Sequence, residues 1–172
     1  MTKPPFLLSV TALRRAPGSR RQEMRYGPIP GLAVTSGAVP ADADVAVDVV
    51  LELVDGGIVA TGSVTAPYVG ECRRCLGPVY ATIRAEVREV YQADVEPEQA
   101  EEIYPLVGDQ LDLEPLARDA VLLELPLAPL CREGCLGLCP TCGANLNEGS
   151  CACQRSAPDP RWEGLDALRT DT

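Results

Sequence analysis

Eight cysteines and no histidine constrain this chain more than any other feature. Six of the cysteines, Cys131, Cys135, Cys139, Cys142, Cys151 and Cys153, crowd into one C-terminal stretch, and Cys72 and Cys75 form a separate pair near mid-chain. Eight thiolates suffice for two four-sulfur metal sites. Without histidine a Ser-His-Asp triad, a Cys-His protease pair and a three-histidine catalytic zinc are all excluded.

At 172 residues the chain is one domain, or one domain with a small appendage. With one Trp, one Phe and five Tyr, its core must be built from Val, Leu, Ile and Ala. No stretch approaches the roughly 18 uninterrupted apolar residues of a membrane helix. The apolar patch from Phe6 to Val10 is short and runs into Arg14 and Arg15, so it reads as neither signal peptide nor anchor. A cytoplasmic location is the expectation. Thiols stay reduced there, which makes the cysteines ligands or redox groups before disulfides. The net charge of −10 is unevenly spread: residues 1–30 carry six basic groups and one acidic, while residues 31–172 carry nine basic and 24 acidic. Such a chain predicts an acidic body with a basic arm, the arm suited to nucleic acid and the body to a basic protein; the acidity can equally serve solubility alone.

Residues 6–13 predict a short strand, and residues 14–31, rich in Arg, Gly and Pro, predict loop or partial disorder. Val45, Val47, Val49, Leu51 and Leu53 then alternate with Ala46, Asp48, Val50 and Glu52, the period of a half-buried strand. Asp55-Gly56-Gly57 signals a hairpin, with a return strand over Ile58 to Tyr68 and a possible bulge at Gly62. A third strand is expected from Val79 to Tyr91, with Val79, Ala81, Ile83, Ala85 and Val87 on one face. The acidic run containing Asp94, Glu96, Glu98, Glu101 and Glu102 reads as a solvated loop, and Ile103 to Val107 as a short strand. Asp112 is a candidate N-cap of a helix through Leu113, Leu116, Ala117, Ala120, Val121 and Glu124, ended by Pro126. Trp162, Leu165 and Leu168 could form one docking turn in an otherwise polar tail.

The predicted architecture is therefore α+β: an antiparallel β-meander or partly open barrel with one helix and a C-terminal cysteine-rich segment resembling a zinc ribbon. Residues 1–130 would form the β-rich domain with its basic arm, 131–155 the zinc-binding segment, and 156–172 the tail.

Leu138-Cys139-Pro140-Thr141-Cys142-Gly143 has the form of a zinc-ribbon knuckle, in which a tight turn presents both sulfurs and glycine admits backbone amides close to one of them. Cys151-Ala152-Cys153 supplies a second limb, so Cys139, Cys142, Cys151 and Cys153 make one expected zinc site. Cys72-Arg73-Arg74-Cys75 and Cys131-Arg132-Glu133-Gly134-Cys135 offer four more sulfurs for a second site stapling the meander to the C-terminal segment. Spacing leaves that pairing open, because Cys135 also lies close to Cys139. Either one or two structural zinc ions follow, and four thiolates leave no coordination position for catalysis. A thiol-disulfide oxidoreductase using Cys72 and Cys75 is the enzymatic alternative, in a poor context, since strands rather than a helix N-terminus flank the pair. A zinc-dependent protein-interaction module is the other alternative. Arg73 and Arg74 at the knuckle tip, with Arg14, Arg15, Arg20, Arg21 and Arg25 on the arm, are candidate phosphate contacts; Arg73 and Arg74 can equally offset sulfur charge.

Cys72-Arg73-Arg74-Cys75 between strands, Leu125-Pro126-Leu127 leading to Cys131, the run from Gly137 to Asn147 (GLCPTCGANLN), and Cys151-Ala152-Cys153 together resemble the bacterial YceD family, the large ribosomal RNA subunit accumulation proteins. The likeness runs from about residue 6 to 155, and its most specific part is the GLCPTCGANLN run. It implies a cytoplasmic, non-enzymatic role in making the large ribosomal subunit, with no catalytic residues to carry over. The implied partners are large-subunit rRNA or a small basic large-subunit ribosomal protein, with no membrane and no small-molecule substrate.

Overall fold

The computed structural model describes residues 4–16, 18–93, 95, 103–153 and 161. Its elements in chain order are β1 (Leu7–Ser9), α1 (Thr11–Arg14), β2 (Arg20–Gly27), β3 (Ala33–Val34), β4 (Gly37–Ala38), β5 (Val45–Val54), β6 (Gly57–Glu71), β7 (Pro78–Gln92), β8 (Tyr104–Pro105), β9 (Gln110–Asp112) and α2 (Glu114–Glu124). Asp94, Glu96, Glu98, Glu101 and Glu102 of the acidic run, and the Trp162, Leu165 and Leu168 turn, lie outside the described residues.

The meander of β5, β6 and β7 follows from residue alternation. Val45, Val47, Val49 and Leu51 are buried while Asp48, Val50 and Glu52 face outward. Asp55 and Gly56 close a two-residue hairpin, Val54 facing Gly57, and Gly56 takes φ of 90°. β6 and β7 then pair antiparallel from Ile58↔Tyr91 to Glu71↔Pro78. The turn at the far end of this long hairpin is the Cys72–Gly77 knuckle, so the ladder itself aims the first two sulfurs. The sheet is open rather than closed: it runs β2-β5-β6-β4-β3, with β7 on the other side of β6 and β8 on β7.

α2 packs on β6 and β7, and the small β1-β9 pair shares the same buried core. Leu113, Leu116, Ala117 and Val121 are buried there with Phe6, Leu8 and Leu111. Asp112 is the last residue of β9, and its carboxylate accepts the Glu114 N–H at 2.9 Å, satisfying an orphan donor of the first turn. Leu125 is extended and Pro126 follows, which ends α2 and directs the chain toward the knuckle.

The structure corrects the sequence reading at several points. Residues 14–31 are not a loose arm. β2 pairs with β5 through eight residues, from Arg20↔Glu52 to Gly27↔Val45. Its inward face is charged, which hid the alternation: Arg21, Glu23 and Arg25 lie on the side of Leu51, Val49 and Val47, and Glu23 bridges Arg21 at 2.6 Å and Arg25 at 2.7 Å. Inward charges on an edge strand discourage addition of a further strand. A helical turn, α1, follows β1 where strand was expected. Gly62 makes no bulge; it sits in register opposite Val49, and a Cβ there would collide with the Asp48 carbonyl oxygen. Ala81 and Val79 share the inward side of β7, yet Ala81 is exposed and Val79 half-buried, because the start of β7 projects past the core.

Glu23 has a side chain only 12% exposed between two arginines. Replacing it with Ala should cost about 1–3 kcal/mol, because two partly buried guanidiniums lose their counter-charge. Removing the exposed Arg20–Glu52 pair by Arg20→Ala should cost under about 1 kcal/mol. Urea unfolding of both variants tests this order; equal losses would refute the triad's role.

Candidate metal centres

The fold gathers all eight cysteines into two tetrads. Cys72, Cys75, Cys131 and Cys135 form one, and Cys139, Cys142, Cys151 and Cys153 the other, with the four sulfurs of each all within 4.8 Å of one another. In the first tetrad Cys72 and Cys135 sulfurs are 3.7 Å apart, and Cys75 and Cys131 sulfurs 3.6 Å. A tetrahedral ion with metal–sulfur bonds of about 2.3 Å sets its sulfurs roughly 3.8 Å apart, so the donor set and its size fit such an ion. All eight are free thiols.

The two CxxC turns are built alike despite different sequences. In the C-terminal one, Gly143 N–H donates to Cys139 O at 2.9 Å and Gly143 takes φ of 73°. In the other, Leu76 N–H donates to Cys72 O at 2.9 Å and Leu76 takes φ of 58°. Leucine thus occupies the left-handed position that glycine fills more cheaply, a strain that the surrounding turn must impose. Cys72 N–H donates to Gly77 O at 2.8 Å, and Arg73 N–H to Pro129 O at 2.9 Å, which ties the knuckle to the chain entering the second limb.

The thiols are polarised in opposite directions. Burial pushes Cys72 up, but hydrogen bonds from the backbone at Cys131, Cys75 and Arg74 bring it down to about 6. Backbone hydrogen bonds at Cys142 and Thr141 bring Cys139 down to about 6. Cys131 is pushed up to about 12 by its contact with Cys75, and Cys153 to about 12 by its contact with Cys142. Sulfurs this close cannot all be thiolates unless a cation replaces their shared protons. Cys72 is wholly buried, a poor position for a nucleophile that must meet a substrate disulfide.

The candidate phosphate contacts are distributed differently from the expectation. Arg14 pairs with Asp109 at 2.8 Å, Arg20 with Glu52 at 2.9 Å, and Arg21 and Arg25 share Glu23. Arg74 donates to Cys135 O at 2.9 Å, and its own carbonyl accepts the Leu138 N–H at 3.0 Å, so it laces the knuckle to the C-terminal segment. Arg15 and Arg73 are exposed. Sequence reasoning missed Asn147, whose side-chain amide donates to the Cys135 sulfur, because nothing near it in the chain marks that partner.

Among the described residues no helix is long and apolar enough to cross a membrane. The model of the family described as large ribosomal RNA subunit accumulation protein YceD matches residues 60–169. An uncharacterized protein of Mycobacterium tuberculosis is 36% identical over 172 residues, covering 94% of this chain and 80% of that protein. An uncharacterized protein of Mycobacterium leprae is 31% identical over 147 residues, covering 83% of this chain and 68% of the relative. The chloroplastic large ribosomal RNA subunit accumulation protein YCED homolog 1 of Arabidopsis thaliana is 36% identical over 66 residues, covering 38% of this chain and 21% of the plant protein. No solved structure matches. The match spans the knuckle hairpin, α2 and both tetrads, and with it the chain belongs to the YceD family, which is named for accumulation of large-subunit ribosomal RNA rather than for a reaction.

Proposed function

We propose that this protein is a non-enzymatic factor in large ribosomal subunit biogenesis, supporting accumulation of the large-subunit rRNA, with a structural zinc ion in each cysteine tetrad. The family match carries the functional half of this reading. The all-sulfur tetrads support the zinc half: soft thiolates select zinc over magnesium or calcium, and four of them leave no open position for substrate. When bound, the ion would supply cross-links, joining the tip of the β6–β7 hairpin to residues 131–135 and closing the loop between Cys142 and Cys151.

A small basic ribosomal protein is the partner that the charge distribution favours over direct rRNA contact. Arg14, Arg20, Arg21 and Arg25 are engaged with acidic groups of the chain, which lowers the arm's appeal to phosphate. The chain carries −10 overall, and two tetrathiolate zinc sites would add about −2 each. Beside Cys72, exposed Leu76 and Leu127 line an open groove of about 740 Å³, apolar surface of the kind a protein partner covers. Of the seven candidate arginines, Arg15 and Arg73 are the exposed ones outside these pairs and the Arg74–Cys135 contact, and are left for phosphate.

Deleting the gene from its host tests the reading. The ratio of mature large-subunit to small-subunit rRNA should fall and be restored by the wild-type chain, but not by one carrying Cys139→Ser and Cys142→Ser. An unchanged ratio on deletion would overturn the functional half. Full rescue by the cysteine variant would overturn the need for the metal.

A further inference from the structure

Asn147 belongs to the loop between the two limbs of the C-terminal tetrad, yet its side chain serves the other one. Its Nδ2 donates to the Cys135 sulfur at 3.4 Å. Its Oδ1 accepts the Leu136 N–H at 2.9 Å and Arg132 at 2.7 Å, both within or beside the Cys131–Cys135 limb. Asn145 holds the amide in that orientation, its Oδ1 accepting Asn147 N–H at 3.1 Å and Asn147 Nδ2 at 2.8 Å. Asn145 is in turn held by Glu148 at 2.6 Å. The backbone repeats the connection: Leu146 N–H donates to Gly137 O at 2.9 Å, and Leu138 N–H to Arg74 O at 3.0 Å. Gly137 takes φ of 77°, and a Cβ there would lie 2.9 Å from Arg74 O, so the two segments touch backbone to backbone.

The geometry points to Asn147 as a positioning residue that couples the two metal centres. This rests on the reading of both tetrads as metal sites. The loop that carries Asn147 has its two ends at Cys142 and Cys151, so an ion in the C-terminal tetrad closes that loop and presents the amide to Cys135. An N–H···S bond lowers the charge that the thiolate pushes onto its ion and fixes the ligand's orientation. Filling one tetrad therefore favours filling the other, and because coupling is reciprocal the effect runs both ways. The amide must be Asn: carbonyl and amino ends are both in use, toward Leu136 and Arg132 on one side and toward sulfur on the other.

The test is a cadmium-113 titration of the reduced, full-length chain against a competing chelator. Each tetrad gives its own resonance, assigned by disabling the other through a Cys→Ser pair. Disabling Cys139 and Cys142 should weaken cadmium binding at the Cys72 tetrad by about 10–100-fold, the usual effect of losing an outer-shell partner. Asn147→Ala in the otherwise intact chain should weaken it similarly and shift the resonance of that tetrad alone. In the chain lacking Cys139 and Cys142, Asn147→Ala should add nothing. Asn147→Asp keeps the acceptor for Leu136 and Arg132 but loses the N–H···S donor, and should weaken binding at least as much as Ala. Rescue by Asp would make the role merely structural and overturn the proposal. So would equal affinity of the Cys72 tetrad with and without the C-terminal one. Two resonances filling independently would sink the coupling alone, whereas no cadmium uptake by the wild-type chain would sink the metal reading together with it.

Discussion

Stripping metal from the reduced protein should unfold residues 131–153 and leave the β5–β6–β7 sheet standing. Purified without added metal or chelator, the chain should carry two zinc ions. Between positions 131 and 153 the buried apolar side chains are Cys135 and Cys139 alone, and the only ladder contact is the Leu138↔Asn145 bridge. Such a segment has almost no core of its own. Each structural zinc supplies about 10–16 kcal/mol of apparent binding free energy near neutral pH, as much as the whole net stability of an ordinary domain, about 5–15 kcal/mol. The sheet depends instead on an apolar core made by β5, β6, α2 and the β1-β9 pair. Hydrogen exchange read by mass spectrometry, before and after a strong chelator, should show protection lost at 131–147 and retained in β5 and β6. Acid should act in the same direction. Cys131 and Cys153, held at about 12 in the metal-free chain, must give up protons for the ion to bind, so affinity falls as pH falls. Unchanged protection after chelation would refute the metal as the organiser of this segment.

Leu116→Ala should have the opposite profile. Leu116 is 1% exposed, on the face of α2 that packs on β6 and β7. Truncating it leaves a cavity under the helix and should cost about 2–5 kcal/mol in denaturant unfolding of the sheet. Metal stoichiometry in the folded protein should stay at two, because neither tetrad draws a ligand from α2. A loss below about 1 kcal/mol would mean that α2 does not carry the core. Together the two results would separate a hydrophobic half from a metal-held half in one short chain.

Sequence neighbours decided what could be read in advance. The β5–β6 hairpin was legible because apolar residues alternate along Val45–Leu53 and Asp55-Gly56 admits a tight turn. α2 was legible because Leu113, Leu116, Ala117 and Val121 recur at helical spacing and Pro126 stops them. β2 was not. Its inner face is Arg21, Glu23 and Arg25, a charge pattern that looks like surface until Glu23 is seen between two arginines at the sheet edge. Gly62 misled for a similar reason, since nothing near it in sequence reveals that Asp48 O closes over it.

The sequence by itself determined the paired cysteines. In each CxxC turn and in Cys151-Ala152-Cys153, two sulfurs are brought close by a few backbone angles, which local chain stiffness settles. Tertiary structure decided the combination that spacing left open, that of Cys72 and Cys75 with Cys131 and Cys135. Cys72 and Cys131 are far apart in the chain, and they meet because β6 and β7 run the full length of the sheet to deliver the knuckle while α2 and Pro126 return the chain to the same end. The role of Asn147 was likewise out of reach of sequence, because its partner sulfur belongs to the other tetrad. Contacts within a turn depend on local geometry, whereas contacts between turns depend on every element that sets their separation.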